Sequence, residues 1–75
     1  MSVAELLNTE ITDVQTIESL PVGAGVVDFS GVLWQKKEDG WWYPASFSWV
    51  GQQGALAMAG QDPLLVWLPP EAVGR

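Results

Sequence analysis

The side chains able to do chemistry in this chain are few, and their inventory is restrictive. There is no histidine and no cysteine. That removes the commonest general base, the commonest metal ligand, and every thiolate nucleophile or Cys-ligated zinc. Ser2, Ser19, Ser30, Ser46 and Ser48 supply hydroxyls, but a serine attacks only when a neighbouring base takes its proton. Lys36 and Lys37 are the candidate amines. They stand beside Glu38 and Asp39, and such a run reads as a solvated charged turn. Asp28, Glu38, Asp39 and Asp62 leave a two-carboxylate glycosidase as the remaining acid–base option, and nothing in their spacing favours it. No segment has the alternating oxygen ligands and closing glutamate of an EF-hand loop. Neither Gly23-Ala24-Gly25 nor Gly51-Gln52-Gln53-Gly54 has the sequence context of a phosphate cradle. The expectation is a protein that is not an enzyme and takes no metal or cofactor.

Charge narrows the partners. Nine acidic residues against three basic ones give a net charge of −6, and the cations are Lys36, Lys37 and Arg75. Nucleic-acid binding rests on neutralising several phosphates, and an anionic leaflet attracts basic segments. Neither nucleic acid nor membrane is therefore an expected partner. The longest apolar run, Leu64 to Leu68 between prolines, falls far short of the ~18–20 residues that span a bilayer. Met1 to Glu5 carries no positive n-region of a secretory signal, so a cytoplasmic location is expected. Mimicry of a phosphate backbone is an acidic alternative. Glu5, Glu10, Asp13 and Glu18, however, spread around a helical wheel instead of forming a row.

The elements that must position these residues belong to one small domain of 75 residues. Apolar residues make up 48% of the chain and charged ones 16%, a balance opposite to that of disordered segments. Residues 1–20 read as a helical lead with capping boxes at Ser2/Glu5 and Thr12/Gln15. Two short helices near Val3–Leu7 and Asp13–Ser19 are favoured over one long one, because Asn8, Thr9 and Thr12 prefer caps and breaks. From Gly23 the apolar period changes to two. Residues 21–43 read as an antiparallel meander, with strands at Gly25–Phe29, Val32–Lys37 and Trp41–Tyr43. Residues 44–62 form a loop or short helix over 52–59, residues 63–70 a fourth strand at Leu64–Leu68, and 71–75 a loose tail. The fold class expected is α+β: one or two short N-terminal helices and a small antiparallel meander of three to four strands.

The aromatic load then carries the functional argument. Five tryptophans each seek to bury roughly 150–250 Å², and a domain this small hides two or three of them. Alternation puts Val27, Phe29, Leu33, Gln35, Trp41, Tyr43, Leu64, Val66 and Leu68 on one set of strand faces. It puts Val26, Asp28, Val32, Trp34, Lys36, Trp42, Leu65 and Trp67 on the other, and which sets face together across strands depends on a register the sequence does not fix. Neither set is polar, so both need a cover. The expected binding surface is drawn from Trp34, Trp41, Trp42 and Trp67, with Tyr43 as a polar handle. Its occupant would be another protein or a second copy of the chain in a homo-oligomer.

Three resemblances bear on that surface. Asp39-Gly40-Trp41-Trp42 resembles the Asp-Gly-Trp-Trp turn of SH3 domains, which implies a groove for proline-rich peptides lined by Trp41. The SH3 signatures Ala-Leu-Tyr-Asp-Tyr and Pro-Ser-Asn-Tyr are missing. Leu20-Pro21-Val22-Gly23 with Trp49 is similar to WW domains, although Trp34 comes too late for their spacing. Over Ile17 to Tyr43, and more loosely Leu64 to Pro69, the chain resembles small accessory proteins of actinobacterial phages. Leu20-Pro21-Val22-Gly23, Val26-Val27, Leu33-Trp34-Gln35-Lys36 and Asp39-Gly40-Trp41-Trp42 carry that likeness. It implies expression inside an infected bacterium and action by binding a host or phage protein. It supplies no chemistry.

Overall fold

Asn8 ends the first helical stretch by turning left-handed, a conformation its short polar side chain tolerates. In the computed structural model, which describes residues 3–45 and 51–73, Asn8 has φ 65°. It follows a 3-10 turn at Val3–Leu6. The elements after it are α1 (Val14–Ser19), β1 (Gly25–Val27), β2 (Leu33–Lys36), β3 (Trp42–Pro44), α2 (Ala55–Ala59), β4 (Leu64–Trp67) and α3 (Pro70–Val73). The helical lead is therefore two pieces. The cap of α1 is Asp13, one residue beyond the expected Thr12, and its carboxylate accepts the Thr16 backbone N–H at 2.9 Å. Ser2, the other expected cap, lies outside the described residues. Residues 71–73, expected to be loose, continue from Pro70 as the turn of helix α3, which packs against the 3-10 turn.

The four strands form one antiparallel sheet in the order β3-β2-β1-β4. The meander is the one the turn residues call for. Gly31 and Gly40, both at φ 86°, sit where the two hairpins need a left-handed residue. Both β1 and β2 are shorter than the sequence spacing suggests, because residues 28–32 form the connecting loop. One sheet face is covered. Val26, Trp34, Trp42 and Leu65 lie on it and are buried against Ile17 and Leu20 at α1 and Met58 of α2.

Register in β4 changes the expected faces. Leu64 pairs with Val27 and Leu65 with Val26, but Trp67 pairs with Gly25. Val66 is thus the extra residue of a bulge, which shifts the next side chain onto the opposite face. Trp67 leaves the covered face, where simple alternation from Leu65 would put it.

Both sheet edges are partly occupied. Along β4, Asn8 N–H donates to Leu65 at 2.7 Å, Leu65 N–H to Thr9 at 3.1 Å, and Ile11 N–H to Pro63 at 2.8 Å. On the outside of β3, Trp42 and Gln53 exchange backbone hydrogen bonds of 2.9 Å each, and Pro44 has no N–H to offer. Edges treated this way resist strand addition at these positions.

Lys36, expected in a solvated turn, is a buried cap. Alternation in β2 turns it inward with Trp34, and its ammonium donates to the carbonyls of Glu18 at 2.7 Å and Leu20 at 2.8 Å. These are carbonyls left without partners at the end of α1. Burial pushes the Lys36 pKa below its ordinary value, and the Glu18 carboxylate partly restores it. Lys36→Met keeps the stem and removes the donors. It is expected to cost about 1–3 kcal/mol in urea denaturation and to speed amide exchange in α1. Unchanged exchange there would refute the capping role.

Candidate functional site

The sheet face opposite α1 and α2 keeps a group of apolar side chains in contact with solvent. Register lays them out in rows. Leu64, Val27 and Leu33 lie side by side across β4, β1 and β2, and Ala45 continues that row through its N–H bond to Leu33 at 2.8 Å. In the next row stand Trp67, Gly25, Gln35 and Tyr43. Lys37 and Trp41 come after them, joined by the Lys37 N–H to Trp41 carbonyl bond of 2.9 Å. Gly25 contributes no side chain, so the sheet has a notch there. A Cβ at Gly25 would sit 3.5 Å from Trp67 Cβ and 3.7 Å from Leu33 Cδ1. The notch, walled by Trp67, Leu33, Gln35 and Ala45, has a volume of about 160 Å³.

The five expected contact residues separate into two groups. Trp34 is 2% exposed and Trp42 fully buried, so neither belongs to a surface. Their strand positions turn them under the helices, and this corrects the expectation that they would help bind a partner. Trp67 is 48% exposed and Trp41 46%. Both stand on the open side with Tyr43, although the Trp41 ring leans toward Gly54 at the edge, 3.6 Å from where a Cβ would be. Trp49 lies outside the described residues. Leu33, 39% exposed, and the notch at Gly25 were not among the expected contact residues. Strand alternation did group Leu33, Val27, Tyr43 and Leu64, but a notch depends on which side chains flank a glycine in neighbouring strands. Phe29 in the first hairpin loop and Leu56 on α2 are also exposed, outside this ladder.

The polar groups at the margin are tied to each other. Tyr43 Oη donates to Asp39 Oδ2 at 2.6 Å, and Asp39 Oδ1 accepts the Trp41 N–H at 2.9 Å. The Tyr43 bond, followed by the Trp41 N–H, holds the Asp39 pKa below its ordinary value. The same bond pushes the Tyr43 phenol up. The pair is thereby moved away from neutral-pH proton transfer, since such work calls for a pKa near the operating pH. Lys37 Nζ donates to Gln35 Oε1 at 3.2 Å. Among the described residues no three acidic side chains converge as a metal site would require. No helix of the described residues is long and apolar enough to cross a membrane.

Asp28 is the functional-looking carboxylate with a structural occupation. It is buried, its Oδ1 accepts the N–H groups of Ser30 at 2.8 Å and Val32 at 3.0 Å, and its Oδ2 accepts Trp34 Nε1 at 3.0 Å. Burial opposes its ionisation, but the hydrogen bonds from Trp34, Val32 and Ser30 outweigh that and lower its pKa. A lowered folded-state pKa adds stability above the unfolded value of about 3.9, and that stability is lost as pH falls through the folded value. The denaturation midpoint should therefore drop below about pH 4. Asp28→Asn should cost about 1–3 kcal/mol at neutral pH and flatten that acid limb. Identical acid limbs in the two proteins would rule the assignment out.

No protein-family model matches the chain, and no curated protein or solved structure matches it either.

Proposed function

We propose that the chain is a non-enzymatic interaction module that binds another protein through the open sheet face. The observation that carries this reading is Trp67, half-exposed beside Leu33 and the notch at Gly25 on a face opposite the helices. Rings with this much contact area are the residues on which protein interfaces concentrate their energy. An apolar surface held open by a rigid sheet also marks interaction sites. Blunted edges favour docking across the face over strand addition. The likeness to actinobacteriophage accessory proteins supports a host or phage protein as the occupant.

The test uses the tagged native chain and its Trp67→Gln variant on parallel columns loaded with an actinobacterial lysate. A protein held by the native chain and reduced at least about tenfold by the variant is the expected result, with circular dichroism establishing that the variant folds. Equal retention by both chains, or no retention by either, would overturn the reading.

A further inference from the structure

We infer that the occupant of the open face is a cationic protein segment that seats one apolar side chain in the notch at Gly25. This rests on the interaction reading above and names the chemistry of the partner. Size is the first argument. The notch holds about 160 Å³, below the roughly 300–1,000 Å³ typical of small-molecule sites. Its walls are the Trp67 ring, Leu33 and Ala45, with the Gln35 carboxamide already engaged by Lys37. A single branched or aromatic side chain suits such a space, because burying it there removes apolar area from water on both partners.

Charge is the second argument, and it chooses between a foreign partner and a second copy. Of the nine carboxylates in the chain, Asp28 is buried and the other eight are exposed. Against them Lys37 is the one exposed cation among the described residues, since Lys36 is buried on carbonyls. Glu10 lies opposite Leu64 in the ladder, so it stands on the same side of the sheet at one margin. Asp39 stands in the β2–β3 turn, where it accepts the hydroxyl of Tyr43 on the far edge strand. Four strand spacings, roughly 19 Å, separate the Glu10 segment from β3. A segment crossing the sheet with lysine or arginine on either side of an apolar anchor would meet a carboxylate at each end. A second copy would instead bring its own net −6 against this one. Opposite charge speeds encounter and rejects like-charged partners.

The test is a selection of short random peptides, displayed on yeast, against the full native chain. Survivors are expected to carry an excess of lysine and arginine around an apolar residue. They should weaken as salt is raised, because screening shortens the reach of exposed charges. They should also bind Gly25→Ala at least about tenfold more weakly. That variant puts a methyl group into the floor of the notch at ordinary contact distances, 3.5 Å to Trp67 and 3.7 Å to Leu33, so the sheet accommodates it. Leu33→Gln, at an exposed wall of the same notch, is the second variant and should act likewise. Acidic or uncharged survivors, survivors indifferent to both variants, or no survivors would each overturn the inference. Capture by the native chain but not by Trp67→Gln uses neither the charge pattern nor the notch, so the interaction reading is judged separately.

Discussion

Trp34→Ala is expected to remove more than half of the chain's stability at 25 °C, moving its urea midpoint close to the start of the titration. Magnitudes decide this. A domain of 75 residues has about 4–11 kcal/mol of total stability at ordinary values per residue. Deleting a buried indole costs about 3–5 kcal/mol in lost transfer energy and cavity. Trp34 is 2% exposed and is also the donor to Asp28 Oδ2. Its loss leaves a buried carboxylate short of a hydrogen bond, a further cost of about 1–3 kcal/mol. Phenylalanine separates the two contributions. Trp42 is fully buried too, but its Nε1 has no hydrogen-bond partner among the described residues. Trp42→Phe removes an unsatisfied donor, whereas Trp34→Phe breaks a bond to an ionised group. Trp34→Phe should therefore be the less stable by about 1 kcal/mol or more. Equal stability of the two phenylalanine variants would contradict the role given to Asp28.

Trp67→Gln should leave stability nearly unchanged and remove most of the affinity for the partner. The ring is half-exposed at a bulge in β4, an edge strand apart from its pairing with residues 8–11. Its truncation opens no internal cavity, and surface substitutions of this kind lie within about 0.5 kcal/mol. In a complex the same ring would be enclosed beside the notch. Truncating an anchor of that type costs about 2 kcal/mol or more, roughly a thirtyfold rise in Kd. Trp41→Gln should cost less, because that ring already rests near Gly54 at the sheet edge. Calorimetric titration with the captured protein ranks the two variants. A larger loss from Trp41 than from Trp67 would move the centre of the interface toward the β2–β3 turn.

The fold was readable in the sequence wherever local chemistry decides geometry. Glycines at 31 and 40, with alternating apolar residues around them, were enough to place the meander, and Pro21 with Asn8 was enough to divide and end the helices. Alternation paired the residues within each strand, but that Val26, Trp34, Trp42 and Leu65 share the covered face follows from the register between strands. What local pattern could not deliver was anything set by pairing across strands. Trp67 changes face because one residue, Val66, bulges opposite β1, and no residue type there announces it. Lys36 looked solvated beside Lys37, Glu38 and Asp39, since its partners are carbonyls near residues 18–20 that only the folded chain brings close. The candidate site suffered most from this. Trp34 and Trp42 were counted with Trp41 and Trp67 by residue type, and only register separates core rings from surface ones.

The most direct test of the account is solvent accessibility at the indole N–H groups, read by NMR with a soluble paramagnetic agent. It is measured on the dilute chain alone and then with the captured partner. Trp34 and Trp42 should be protected throughout, and Trp41 and Trp67 accessible in the dilute chain. Trp67 should become protected when the partner is added. Protection of Trp67 in the dilute chain, together with a dimer in sedimentation, would contradict it. The open face would then be the seam between two copies of this chain.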